Sequence, residues 1–293
     1  MPDVGARFAR VPSAHLDSPI DLIALYPSAG EEAPLQAGGY TLDVALDGVP
    51  VPGPWPVVVV SHGSGGSPLT HRGLARHLAQ AGFLVLLPTH PGNNRDDNHL
   101  ADTAEILLQR PRDVTTVLDW AESPAGFSRQ ADTRHAGVIG HSLGGYTALA
   151  LAKGRPHTVP RETPGVPPRP IPVKTDARVA ALVLLAPAAP WFLAEDSLAE
   201  VDAPILMLTA EHDSLTAGHG DLIAARLPPA AVLDHRVIRG AGHFSFLAPF
   251  PPERTSPSFP PSQDPPGFDR PAFHASLYLD VEAFLRRTLN ADA

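Results

Sequence analysis

Apolar positions along this chain fall in short, dense runs separated by polar, glycine-bearing or proline-bearing stretches. Residues 20–26 (IDLIALY) and 40–46 (YTLDVAL) read as early strands, and the turns between them predict a hairpin-like antiparallel start. The run at 56–60 (PVVVV) is different. Four consecutive valines do not alternate with polar residues, which predicts a strand buried on both faces, as in a parallel sheet. A helix is predicted over 69–82, closed by Gly82, and a strand over 83–88. Helical periodicity over 110–123 places Pro111 near a first turn, where proline is tolerated. Further strands are predicted at 136–140, 178–187, 203–210 and 231–238, with helices at 143–154, 218–227 and 273–289.

Strands that alternate with helices argue for an α/β fold: a mostly parallel central sheet with an antiparallel N-terminal start and helices on both faces. No internal repeat or second-domain pattern interrupts residues 1–293, so a single domain is expected. In such sheets sites form in the loops beyond the carboxyl ends of the strands. Sixteen of the 35 prolines lie in two segments, 155–175 and 248–272, neither of which can be a regular helix or central strand. They read either as disordered linker or as ordered loops packed over a site, and the flanking core elements favour the second.

Composition narrows the function. The formal net charge is −9, arginines are scattered and lysines scarce, so no basic patch for nucleic acid is visible. With no cysteine, disulfides, thiolate metal sites and a cysteine nucleophile are excluded. No apolar segment follows the early charges, and the longest greasy run, 180–194, is broken by Pro187 and Pro190. A cytoplasmic protein with neither signal peptide nor membrane span is the expectation. Oligomeric state is not legible.

The chemistry gathers at residues 137–149 (GVIGHSLGGYTAL). Ser142 lies in a G-x-S-x-G sequence that follows a predicted buried strand and opens a predicted helix, the context a nucleophile elbow requires. A strand–helix turn with a capping serine would give the same letters. A serine hydroxyl needs a base, and among 14 histidines His243 stands out, in a small-residue loop (RGAGHFSF) after the last predicted strand. The base needs an acid. Asp213, in the loop EHDSLT after the strand at 203–210, is preferred over Glu211, while Asp202 precedes that strand and belongs at the other end of the sheet. Ser142, Asp213, His243 is the hydrolase order of the triad. The oxyanion hole is assigned to the backbone N–H groups of Leu143 and Ser64, with Gly65 as second choice for the latter. The glycine-rich loop 62–66 has neither the G-x-G-x-x-G pattern nor the lysine of a phosphate-binding loop. His62, His90, Trp191 and Phe244 are the candidates for substrate contact, although His62 and His141 also read as scaffold, and Tyr146 as core.

These residues carry a resemblance. SHGSGGS (61–67), RPRD (110–113), GHSLGG (140–145), EHD (211–213) and GAGH (240–243) resemble the α/β-hydrolase superfamily over most of the chain. More narrowly the chain is similar to bacterial proteins described as predicted dienelactone hydrolases and to the platelet-activating-factor acetylhydrolase branch. The resemblance implies a cofactor-free serine esterase acting on a small-molecule ester, with Ser142, Asp213 and His243 as triad. Authentic dienelactone hydrolases use a cysteine nucleophile, and this chain has none. Three rivals stand beside the esterase: a serine peptidase or amidase on the same scaffold, a non-catalytic binding protein, and a metal-dependent lactonase built on 90–99 (HPGNNRDDNH). No metal site is assigned, the polar-loop reading of 90–99 being preferred.

Overall fold

The computed structural model describes residues 2–289. Ten strands form one sheet: β1 Asp3–Val11, β2 Ile20–Ser28, β3 Ala33–Ala37, β4 Tyr40–Leu46, β5 Trp55–Ser61, β6 Leu84–Pro88, β7 Ala131–His141, β8 Val179–Leu185, β9 Ile205–Ala210 and β10 Leu233–Ile238. Their order is β10-β9-β8-β7-β5-β6-β2-β1-β4-β3. From β6 to β10 every neighbouring pair is parallel, and β2 joins that half antiparallel to β6. The helices are α1 Arg72–Gln80, α2 Ala104–Glu122, α3 Leu143–Leu151, α4 His219–Arg226 and α5 Arg270–Leu289.

The four valines of β5 explain why this strand sits near the middle. All four have no solvent exposure. Val57 and Val59 enter the cluster that holds Val114, Val117, Tyr146 and Leu149 of α2 and α3. Val58 and Val60 enter the opposite cluster, with Leu74 and Leu78 of α1 and Val281 and Leu285 of α5. A period-two strand with apolar residues at every position can only be satisfied between two helical layers. Each buried valine contributes about 1.5–3 kcal/mol.

Two expectations need correction. The strands at 20–28 and 40–46 do not form a hairpin. β1 lies between them, antiparallel to β2 and parallel to β4, and β4 pairs instead with β3. The second correction concerns α2, which starts at Ala104 behind Thr103, whose hydroxyl accepts from the Ile106 N–H at 3.3 Å. Pro111 is therefore an interior residue of α2 rather than a first-turn one. Lacking an N–H, it leaves the carbonyl of Leu107 without its helical donor. The hydroxyl of Tyr146, buried on α3, donates to that carbonyl at 2.9 Å. Among the described residues no helix is long and apolar enough to cross a membrane.

Candidate active site

Ser142 occupies the single residue between β7 and α3, with φ 54° and ψ −117°. That is a left-handed conformation in which a Cβ is crowded, and it is held from both sides. The Ser142 N–H donates to Leu185 O at 3.1 Å and its carbonyl accepts from Ala188 N–H at 2.9 Å. The glycines around it answer to close approaches. A Cβ at Gly140 would collide with the backbone of Gly144, one at Gly144 with the carbonyl of Ser61, and one at Gly145 with Pro187. The serine hydroxyl makes no capping bond to α3, so the turn does not use it as a helix cap.

The structure brings Ser142, His243 and Phe244 to the wall of one cavity of about 270 Å³, together with Ser64, Gly65, Leu215, Phe250 and Phe259. His243 opens a short 3₁₀ turn after β10, and its Nδ1 pairs with Asp213 Oδ2 at 2.8 Å. The rest of the Asp213 carboxylate is occupied as well. Oδ1 accepts from the N–H groups of Leu215 (2.8 Å) and Thr216 (3.0 Å), and Oδ2 accepts from the Thr216 hydroxyl at 2.5 Å. Burial pushes this carboxyl upward, but the bonds from His243 and Thr216 outweigh it and hold the group well below the usual range. Glu211, the sequence rival, is exposed and accepts from Gly240 N–H at 2.7 Å. Asp202 pairs with Lys153.

Leu143 is the first residue of α3, where backbone N–H groups lack intrahelical partners. Ser64 sits in a turn closed by Gly66 N–H to Gly63 O at 3.0 Å, with Gly65 at φ +60°. Beneath that turn lies a residue whose role sequence reading missed. Arg110 is fully buried and donates to His62 O, Ser61 Oγ (3.1 Å), Asn93 Oδ1 (2.7 Å) and Thr147 Oγ1 of α3 (3.2 Å). Asn93 in turn donates to Ser64 Oγ at 2.9 Å. One guanidinium thus ties the turn carrying Ser64 to the helix behind Ser142. Burial lowers its pKa to about 9, so it stays charged at neutral pH. The only signal for it was the RPRD motif, which carries no statement of what the arginine touches.

Three of the four substrate-contact candidates are corrected. His62 and His90 have no exposure and do not line the cavity. His62 Nδ1 donates to Gly63 O, while His90 bridges Ser61 Oγ (2.9 Å) and Asp113 Oδ2 (2.8 Å). Burial, then the nearby Arg110 charge, drives the His62 pKa down to about 3 and that of His90 well below its ordinary value. Trp191 packs edge-on against Tyr146 and donates to Glu162, away from the cavity. These residues do follow strand ends, but they turn into the core. Residues 90–99 are likewise divided: His90 is inside, whereas His99 pairs with Asp97 in solvent. No group of three or more potential metal-ligating side chains is found among the described residues. His141 donates from Nε2 to the carbonyl of His243 at 3.0 Å and also lines the cavity.

The chain has the α/β-hydrolase fold. Residues 56–163 match the family described as alpha/beta hydrolase fold, a stretch that ends before Asp213 and His243. Bis(hydroxyethyl) terephthalate hydrolase of Streptomyces coelicolor is 26% identical over 174 residues, 59% of this chain. That alignment takes in 45% of the relative, so the chain spans less than half the length of the curated protein it matches. Among solved structures, ferulic acid esterase from Streptomyces cinnamoneus superposes with a TM-score of 0.73 at 21% identity, covering 99% of this chain and 92% of that one. Dienelactone hydrolase from Anabaena variabilis gives 0.58 at 16% identity, covering 97% and 98%. These structural likenesses establish the fold.

Proposed function

We propose that this protein is a serine hydrolase of carboxylic esters. Ser142 is the nucleophile, His243 the base that takes its proton and returns it to the leaving alcohol, and Asp213 the acid that fixes the imidazole. Water then releases the acyl group from Ser142. The N–H groups of Leu143 and Ser64 are the donors toward the oxyanion, each worth roughly 3 kcal/mol to the transition state. The observation that carries the reading is the strained, uncapped Ser142 facing the same cavity as a histidine paired with a buried carboxylate. The names of the sequence relative and of the structural neighbours, ester hydrolases in two cases, support an ester as the bond attacked. Hydrolysis of p-nitrophenyl esters across acyl lengths tests it. Wild type is expected to turn over, and Ser142→Ala to lose on the order of 10⁶ in kcat. Equal activity of the two would remove Ser142 from the mechanism.

A further inference from the structure

The cavity at Ser142 has an aromatic wall and a cationic rim. Phe244, Phe250 and Phe259 supply the wall, and Arg95 and Arg254 stand at the rim. Both guanidiniums converge on one acceptor, the carbonyl of Gly38, at 2.6 Å from Arg254 and 3.4 Å from Arg95. Arg254 has no carboxylate partner among the described residues. Its other contact is the ring of Tyr40, 4.4 Å below. Arg72 stands over the same ring at 4.2 Å and donates to the carbonyls of Leu69 and Pro249. The one carboxylate in this group is Asp96, 3.2 Å from Arg95 and 79% exposed.

Two guanidiniums, those of Arg72 and Arg254, thus gather around one tyrosine, and Arg95, whose counter-charge Asp96 faces solvent, reaches the same Gly38 carbonyl as Arg254. The Gly38 carbonyl and the Tyr40 ring are neutral partners, so they leave the charge of Arg254 without a carboxylate, and an anion at this rim gains from it. The segment bearing Arg254 is also fixed in place. Buried Arg270 bonds to Asp264 (2.8 Å), Pro261 O (3.0 Å) and Gln263 O (2.9 Å), and Asp264 accepts from Ser245 in the turn of His243. Residues 261–264, in the same segment as Arg254, are therefore held in register with the turn of His243.

We propose that the preferred substrate is an ester with an apolar or aromatic body and a carboxylate at the end remote from the scissile bond. Arg254 is the principal specificity-determining residue and Arg95 the second. This rests on the ester-hydrolase reading of Ser142. A carboxylate between two guanidiniums gains charge-assisted hydrogen bonds, and the expected preference is about ten- to hundredfold in kcat/KM.

The test uses two matched pairs: p-nitrophenyl hydrogen adipate against p-nitrophenyl hexanoate for the acyl side, and p-acetoxybenzoate against p-acetoxybenzamide for the alcohol side. Rates are corrected for spontaneous hydrolysis. The anionic member of one pair should be favoured by wild type, less so as salt rises. The ratio should fall toward one in Arg254→Gln and recover in Arg254→Lys. A merely structural effect of Arg254→Gln would lower both members together and leave the ratio intact, which would overturn the proposal. Hydrolysis of the neutral esters with no anionic preference would overturn the subsite and leave the ester reading standing. No hydrolysis of any of the four by wild type would overturn both.

Discussion

At the scale of single residues, the site depends on a few side chains with every bonding position occupied. Asp213 accepts four hydrogen bonds, two of them from backbone, so its position does not depend on its charge alone. Asp213→Asn should therefore keep the fold while presenting an amide N–H to His243 in place of an acceptor, stabilising the wrong tautomer. A fall in kcat of about 10⁴ with an unchanged far-UV circular dichroism spectrum is the expected outcome. That Ser142, Asp213 and His243 come together was legible because each follows a strand at the same end of the sheet. His62, His90 and Trp191 misled for a related reason. Sequence shows that a residue follows a strand, but not whether its side chain turns toward the cavity or into the core. The contacts of Arg110 and Arg254 were not legible, since their partners are 17 to 49 residues away for one and 216 for the other.

At the scale of elements, α2 and α3 share one bond that neither sequence segment announces alone. Pro111 removes the donor to Leu107 O and the Tyr146 hydroxyl replaces it. Tyr146→Phe should cost about 1–3 kcal/mol, because a buried carbonyl loses its partner. In a Pro111→Ala background, where the helix supplies its own N–H, the same change should cost measurably less. Denaturant unfolding of the four proteins gives the coupling, and additive effects would refute it. The same proline explains the misplaced helix start, since proline favours first turns and drew the boundary from 104 toward 110. β1 escaped notice for a different reason: Phe8 is 47% exposed beside half-buried Arg7, so its polar pattern opposes its burial. β3 is a five-residue edge strand containing Pro34, with little apolar signal. β5 was the easiest strand to read, because apolar residues at every position left no solvent-facing alternative.

At the scale of the whole molecule, the notable quantity is the number of neutral histidines inside. Burial lowers His62 and His141 to about 3, His274 to about 4, and His71 and His90 well below the ordinary value. The unfolded chain protonates each of these near pH 6.5, and the folded chain does not. Below that pH the unfolded state binds more protons, so stability falls as pH falls, by about 2 kcal/mol per histidine by pH 5. Asp113, raised by burial to about 6, acts in the opposite sense between about pH 6 and 4, as one group against five. Melting temperature should therefore drop steeply between pH 6.5 and 5. Both ring nitrogens of His71 lack a hydrogen-bond partner among the described residues. His71→Leu should shift the acid midpoint downward, and an unchanged midpoint would count against the account. The alternation of strands and helices was readable along the chain. The order of strands in the sheet was not, because it is set by pairings between distant segments.

The anchoring of the pocket wall has an evolutionary consequence. Arg270 also reaches Leu247 O, at 3.4 Å, so the chain leaves the scaffold and rejoins it at nearly the same point. Residues 248–269 form a cassette between those two attachment points, and Ser142, Asp213 and His243 all lie outside it. Because closing a longer loop costs only about 0.6 kcal/mol per doubling of length, such a cassette is open to exchange or insertion. The aromatic wall supplied by Phe250 and Phe259 can then vary between lineages while the surroundings of Ser142, Asp213 and His243 are inherited unchanged.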